Sequence, residues 1–302
     1  MDYLNNQKGI ALIVTLLALI IITAMVVEFS YGVYTGTNNL YNWRDSQRLS
    51  IMAKSGVNVS ARFLSEMLRN KDYSYPGFME MPVENPFEDF AGVITVRIED
   101  ENSKFNINSI VPANQLLHEN DPNSPYNMFK RLLKVLSLDE KIADRIVDWI
   151  DRNSEARLPD SEVGAKNSPL NSVDELLLIN GISRQDYDTL LPYITIYGSG
   201  KININGAEKP VLRCLSDDIT DDLAQRVIDY RKINPFDKEP SQLQNVNGFT
   251  SPIYNPISNM ITIKGEHFSV TPTAASEGVK RIIETVLDTS SSPARIEYWK
   301  EY

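Results

Sequence analysis

The chain has 302 residues, 42% of them apolar, which is enough for about two folded units with cores of their own. Its net charge of −10 repels phosphate backbones and argues against generic nucleic-acid binding. One cysteine, Cys214, cannot close an internal disulfide, so any exported part must be stable without one, and Cys214 reads as a small buried apolar side chain.

Residues 1–9 are short and polar, with one cation, Lys8. Ile10 to Val27 follow without a charge. Such a run is about 27 Å long as a helix, close to the thickness of a bilayer core. Lys8 on the near side keeps the N-terminus in the cytoplasm and sends the remainder outside. A secretory signal would end in a small-x-small site, whereas this run ends in bulky residues and Glu28. Helical periodicity then continues. Leu49, Ala53, Val57, Ala61, Leu64 and Leu68 recur every three or four residues and make one apolar stripe. One helix is therefore predicted to leave the membrane and run to about Leu68, with residues 28–69 beyond the bilayer. Gly32, Gly36 and Gly56 would permit bends.

Residues 70–90 read as a connector rich in Pro and Tyr. Ile94, Val96 and Ile98 alternate with polar residues, Glu101–Ser103 suggest a turn, and Phe105 and Ile107 follow, which predicts a β-hairpin. Three further strands are predicted in residues 260–274, 279–288 and 295–302. A long helix over an antiparallel sheet hides the apolar face of each, so the expected class is α+β, with residues 70–110 and 251–302 in the sheet domain.

Residues 111–250 read as an inserted helical domain built from two repeats, about 104–183 and 201–250. The copies open with KFNINSI and KINING. Leu136 aligns with Leu215, Ala143 with Ala224, Arg145 with Arg226 and Asp148 with Asp229. Repeats of this size stack to bury a common core. Each copy closes on a Gly turn, Asn180–Ser183 and Asn247–Thr250, similar to helix-hairpin-helix modules. Those modules grip phosphate with a Gly-x-Gly backbone, and both turns lack the second glycine, so a packing role is expected.

No catalytic set is visible. The two histidines, His118 and His267, stand in different elements, and no Cys/His spacing suits zinc. Gly198–Lys201 has the flavour of a phosphate loop, but that motif would need Gly at Thr195 and Ser or Thr at Ile202. The one cluster with ligand chemistry is Asp148, Asp151, Asn153, Glu155, Asp160 and Glu162. Several oxygen donors on a loop suit Ca²⁺, which takes six to eight at about 2.3–2.6 Å.

A polar leader ending in Lys8–Gly9, followed at once by a membrane helix that continues as an amphipathic one, resembles the type IV pilin family and its pseudopilin relatives. That resemblance implies cleavage by prepilin peptidase between Gly9 and Ile10, N-methylation of Ile10, and assembly from lipid through an inner-membrane platform onto a major pseudopilin. Most members of that family carry Glu at the fifth mature position, where, the resemblance implies, it neutralises the terminal amine of the subunit above. Here that position is Val14, which implies a subunit with nothing above it.

A pilin frame with a large helical insertion is similar to the GspK family of type II secretion systems, the largest minor pseudopilins. Residues 147–151, Asn203–Asn205, Tyr230, Arg231, Pro235, Phe236 and Tyr298–Trp299 fit that family. The resemblance implies a non-enzymatic pseudopilus tip, held with GspI- and GspJ-like minor pseudopilins. Their helices would cover the stripe Leu49, Ala53, Val57, Ala61 and Leu64. The alternative is a minor pilin of a type IV pilus or competence system, with DNA or surface binding. The resemblance also implies calcium in the insertion. The chain departs there, with Lys166, Asn167 and Ser168 where the family continues with acidic residues. An ammonium in place of a carboxylate removes a ligand and adds repulsion, so a solvated acidic loop stands as the other reading.

Overall fold

The structure is a computed structural model that describes residues 3–302, with side-chain surroundings from Gly9 onward. Met1, Asp2 and the side chain of Lys8, on which part of the leader and the orientation reading rest, lie outside the described residues.

The first helix, α1, spans Tyr3–Arg69. Ile10 to Val27 are exposed all round, as an apolar stretch facing lipid would be. Within it the Thr15 and Thr23 hydroxyls donate to the carbonyls of Leu12 and Leu19, so neither reaches hydrocarbon unpaired. Further along, Leu49, Ala53, Val57, Leu64 and Leu68 are buried. Gly56 faces the sheet. A Cβ there would stand 2.7 Å from Cβ of Pro272, so the glycine lets α1 lie close on the sheet. Lys264 closes the far end, its Nζ donating to the carbonyls of Leu68 at 3.1 Å and Lys71 at 2.9 Å.

That sheet has five antiparallel strands, β1 (Phe78–Val83), β2 (Val93–Asp100), β7 (His267–Ser276), β8 (Val279–Asp288) and β9 (Arg295–Glu301), in the order β1-β2-β7-β8-β9. Ile94, Val96, Ile98, Phe268, Val270, Ile283 and Leu287 meet the α1 stripe in one apolar cluster. Two expectations change here. The antiparallel neighbours of β2 are β1, which lies inside the segment read as a connector, and β7. Met79, Met81 and Val83 alternate inward along β1, and the surrounding prolines had masked that period. The expected hairpin from Ile94–Ile98 to Phe105 does not form. Phe105–Asn106 is β3, and it pairs in parallel with β4 (Ile194–Thr195) of the insertion.

The insertion is two copies of one unit. The first runs from β3 through α2 (Pro125–Val135), α3 (Lys141–Ile150) and α4 (Arg184–Leu190) to β4. The second runs from β5 (Ile202–Asn203) through α5 (Lys209–Cys214), α6 (Asp221–Ile233) and α7 (Ser251–Ile257) to β6 (Ile261–Thr262). In each copy the opening strand pairs in parallel with the closing one, Phe105 with Ile194 and Ile202 with Ile261. In each copy an asparagine also clamps a distant backbone pair. Asn108 accepts from the N–H and donates to the carbonyl of Leu170, and Asn205 accepts from the N–H and donates to the carbonyl of Phe236. One apolar cluster from Phe105 to Ile263 fills both copies. It includes Ile257 of α7, which the sequence reading had grouped with the sheet domain.

Sheet and insertion meet at a buried carboxylate. Asp100 Oδ2 accepts from the Ser74 hydroxyl at 3.0 Å and from Asn203 Nδ2 at 2.6 Å, and Oδ1 accepts from the Asn102 N–H at 2.9 Å. The Gly265 N–H donates to the same serine oxygen, and a side chain at Gly265 would collide with Asp100.

Candidate functional site

Gly9, Ile10 and Val14 sit on α1 with their surfaces exposed. The stripe Leu49, Ala53, Val57, Ala61 and Leu64 is not available to partner helices. Four of the five side chains are buried under the chain's own sheet, and Ala61 is packed against the same cluster. An apolar stripe reports that a face is covered, not what covers it, and here the covering surface comes from β2, β7 and β8. The apolar residues that stay exposed on the same length of helix are Ile51, Val59 and Phe63. With Ser55 they fall at i, i+4 spacing and form a second, outward row.

The acidic residues sit where α3 ends and where the first copy carries a loop that the second lacks. Asp148 and Asp151 lie one turn apart at the C-terminal end of α3, where the helix dipole adds negative potential. Asp148 is fully buried. Its Oδ2 accepts from the N–H of Arg157 at 2.9 Å and from the Ser161 hydroxyl, while Oδ1 has no partner. Asp151 repeats the pattern. Its Oδ2 accepts from Asn153 Nδ2 at 2.8 Å, and Oδ1 is buried without a partner. Glu162 Oε1 and Asn167 Oδ1 are also buried and unpaired. One segment thus buries four acceptor oxygens with no donor, which is costly unless a cation meets them. Burial and then the charge of Asp148 push Asp151 above the usual carboxylate range. Burial and then the charges of Asp148 and Asp151 do the same to Glu162. The three carboxylates therefore feel one another, and oxygen donors alone suit a hard cation such as Ca²⁺.

Lys166 does not enter this group. Its Nζ donates to both carboxylate oxygens of Glu175 at 2.9 Å and to the carbonyl of Pro169 at 2.8 Å. The repulsion expected from the sequence is therefore directed elsewhere. Of the expected ligands, Asp148, Asp151 and Glu162 present free oxygens. Asn153 instead braces Asp151 and accepts from the Glu155 N–H, and Asp160 is exposed with φ of 64°. Asn167, read at first as a departure from an acidic pattern, supplies a free oxygen that the sequence reading missed. Arg157 anchors the loop. It donates to Asp144 and Glu119 at 2.8 Å each and lies over the Tyr126 ring at 5.2 Å.

The two Gly turns are closed from within. Arg145 Nη1 donates to the carbonyl of Asn180 at 2.8 Å, and Arg226 Nη1 donates to that of Asn247 at 2.9 Å. Gly181 and Gly248 have φ of 84° and 91°, and a Cβ at either would strike the same arginine. Each turn thus serves as a clamp between helices of its own repeat.

A helix long and apolar enough to cross a membrane, continued over an antiparallel sheet that carries a doubled helical insertion, is the architecture of a membrane-anchored pilin-like subunit. The chain belongs to the type II secretion system protein K family. Models described as "Type II secretion system (T2SS), protein K" match residues 103–199 and 202–264, together more than half of the chain. The type II secretion system protein K of Pseudomonas aeruginosa is 26% identical over 280 residues, covering 82% of this chain and 81% of that protein. The protein K of Dickeya chrysanthemi is 24% identical over 297 residues, covering 81% of each. The fold is similar to that of a chain in the crystal structure of the GspK-GspI-GspJ complex from enterotoxigenic Escherichia coli. The TM-score is 0.69 at 16% identity, over 87% of this chain and 99% of that one.

Proposed function

We propose that this minor pseudopilin forms the tip of a pseudopilus, in a complex with GspI- and GspJ-like subunits and above the major pseudopilin. Val14 carries the reading. At the fifth position after the Gly9–Ile10 junction it has no carboxylate with which to neutralise a terminal amine in the bilayer, so no subunit has a reason to stack above it. In this reading prepilin peptidase cuts at that junction, Ile10 is N-methylated, and the helix sits in the bacterial inner membrane with its N-terminus cytoplasmic and the sheet and insertion periplasmic. An inner-membrane platform assembles the subunit. The role is structural, and partner helices lie along Ile51, Val59 and Phe63.

The insertion binds Ca²⁺ through Asp148, Asp151, Glu162 and Asn167. The four unpaired buried oxygens support this, and the ion would supply the counter-charge that fastens the loop to the end of α3. Co-expression with tagged GspI- and GspJ-like subunits tests the assembly. The complex should be recovered intact, and Phe63→Asp should release this chain from it while circular dichroism stays unchanged. Recovery of the Phe63→Asp chain in full would overturn the docking face.

A further inference from the structure

We propose that His267, Asp288 and Glu297 form a zinc-class metal site that ties the last three strands of the sheet together. His267 on β7 pairs across the sheet with Asp288 on β8, and Asp288 pairs with Arg295 on β9. The next rung, Phe268 with Leu287, points into the cluster under α1, so by the alternation of a strand the His267 rung faces the other way. On β9 the register slips beside Val286 and Leu287. Leu287 pairs with Ile296 and Val286 with Tyr298, which leaves Glu297 as the extra residue. A bulge re-aims the side chain it carries, and this one places Glu297 Oε2 3.4 Å from His267 Nε2.

One ligand atom from each of the three residues lies within 4.8 Å of the others, and among the described residues no other set of three His, Cys, Asp or Glu side chains does so. Two ligands on one tetrahedral zinc stand about 3.3 Å apart, so the side chains need close by no more than about 1.5 Å. Asp288 is buried and His267 keeps 14% of its side-chain surface exposed, while Glu297 is an exposed residue whose side chain keeps 24%. His267 Nδ1 is buried with no partner, and Nε2 is the nitrogen that faces the carboxylates. One imidazole and two carboxylates give a mixed nitrogen–oxygen set with two negative charges, and a water would complete the zinc shell.

Arg295 is the built-in competitor. Its Nη2 donates to Asp288 Oδ2 at 3.1 Å and to Glu297 Oε1 at 2.9 Å. Its side chain is 68% exposed, so it can swing into solvent and leave both carboxylates to the metal. Zinc and the guanidinium then exclude one another, and removing the guanidinium should strengthen zinc binding.

The test is calorimetric titration of Zn²⁺ into the full chain in detergent, in buffer saturated with Ca²⁺. One Zn²⁺ per chain is expected. His267→Gln and Glu297→Gln should each weaken it at least about tenfold with the far-ultraviolet dichroism unchanged. Arg295→Gln should tighten it severalfold, and Asp151→Asn, in the acidic loop, should leave it as it was. No saturable binding, equal binding by His267→Gln, or weaker binding by Arg295→Gln would each overturn the site. Loss of binding in Asp151→Asn alone would assign the zinc to the acidic loop and overturn it equally.

Discussion

Lys166 Nζ lies 2.9 Å from each carboxylate oxygen of Glu175, and this pair keeps an ammonium out of the acidic loop. Glu175 also accepts from the Asn171 N–H at 3.0 Å and the Trp149 indole at 3.5 Å, so the lysine is held in a small network of its own. Burial acts to raise Glu175, but the Lys166 hydrogen bond, the Asn171 N–H and then the lysine's charge together hold it below the usual carboxylate range. The loop is left with oxygen donors alone.

The full chain should therefore melt higher in Ca²⁺, since a ligand bound only by the folded state stabilises it by about 2.7 kcal/mol at a hundred times its dissociation constant. Asp151→Ala should erase the increase, and Asn167→Ala should reduce it. Lys166→Ala should leave the calcium response in place. A melting temperature blind to millimolar Ca²⁺ would return the loop to the solvated reading.

Val57 and Phe63 should part company. Val57 is buried under the sheet, so Val57→Asp places a charge in the cluster and should cost about 3 kcal/mol or more, visible as a lower melting temperature. Phe63 is exposed, so Phe63→Asp should leave melting within about 0.5 kcal/mol of the parent and act on partner binding. Equal melting of the two variants would show that α1 does not rest on the sheet through this face.

Burial is the largest influence on Asp100 and raises it from 3.8 to about 6, against the hydrogen bonds of Asn203, Ser74 and Asn102. A carboxyl whose folded value lies above its unfolded value holds its proton more firmly in the folded chain. Its contribution is present below the unfolded value and is lost as pH rises through about 4 to 6, a change of about 3 kcal/mol. Asp100→Asn should flatten the unfolding free energy over that window relative to the parent. An unaltered slope would mean that Asp100 does not set it.

Gly181→Ala should destabilise the insertion more than Gly248→Ala. Both positions need positive φ, but a Cβ at Gly181 would stand 2.5 Å from Arg145 Cζ, whereas at Gly248 it meets the tip of Arg226 at 2.9 Å. Losses of about 1–3 kcal/mol by denaturant titration are expected, in that order. The reverse order would show that the arginine clamps do not set the cost.

Much of this architecture can be read along the chain, because its periods are long or doubled. The run Ile10 to Val27 and the stripe from Leu49 to Leu68 both appear as one helix, and the matched Arg145 and Arg226 appear as matched clamps. What the stripe could not disclose was its covering surface, because own sheet and partner helix ask for the same residues. Strand β1 was hidden because Met79, Met81 and Val83 alternate with Phe78, Glu80 and Pro82 over only six residues. Asn167 was hidden for another reason. An amide oxygen becomes a ligand only through the turn that buries it, and Lys166 beside it drew attention to charge. The direction of that lysine depends on Glu175, nine residues along.

The placement of a single tag on this subunit in isolated pseudopili tests the tip reading most directly. A gold-labelled tag at the C-terminus should appear once, at one end of each filament. Labels at regular intervals along the shaft would show that the chain stacks between neighbours without the carboxylate that Val14 replaces, and would contradict the tip assignment.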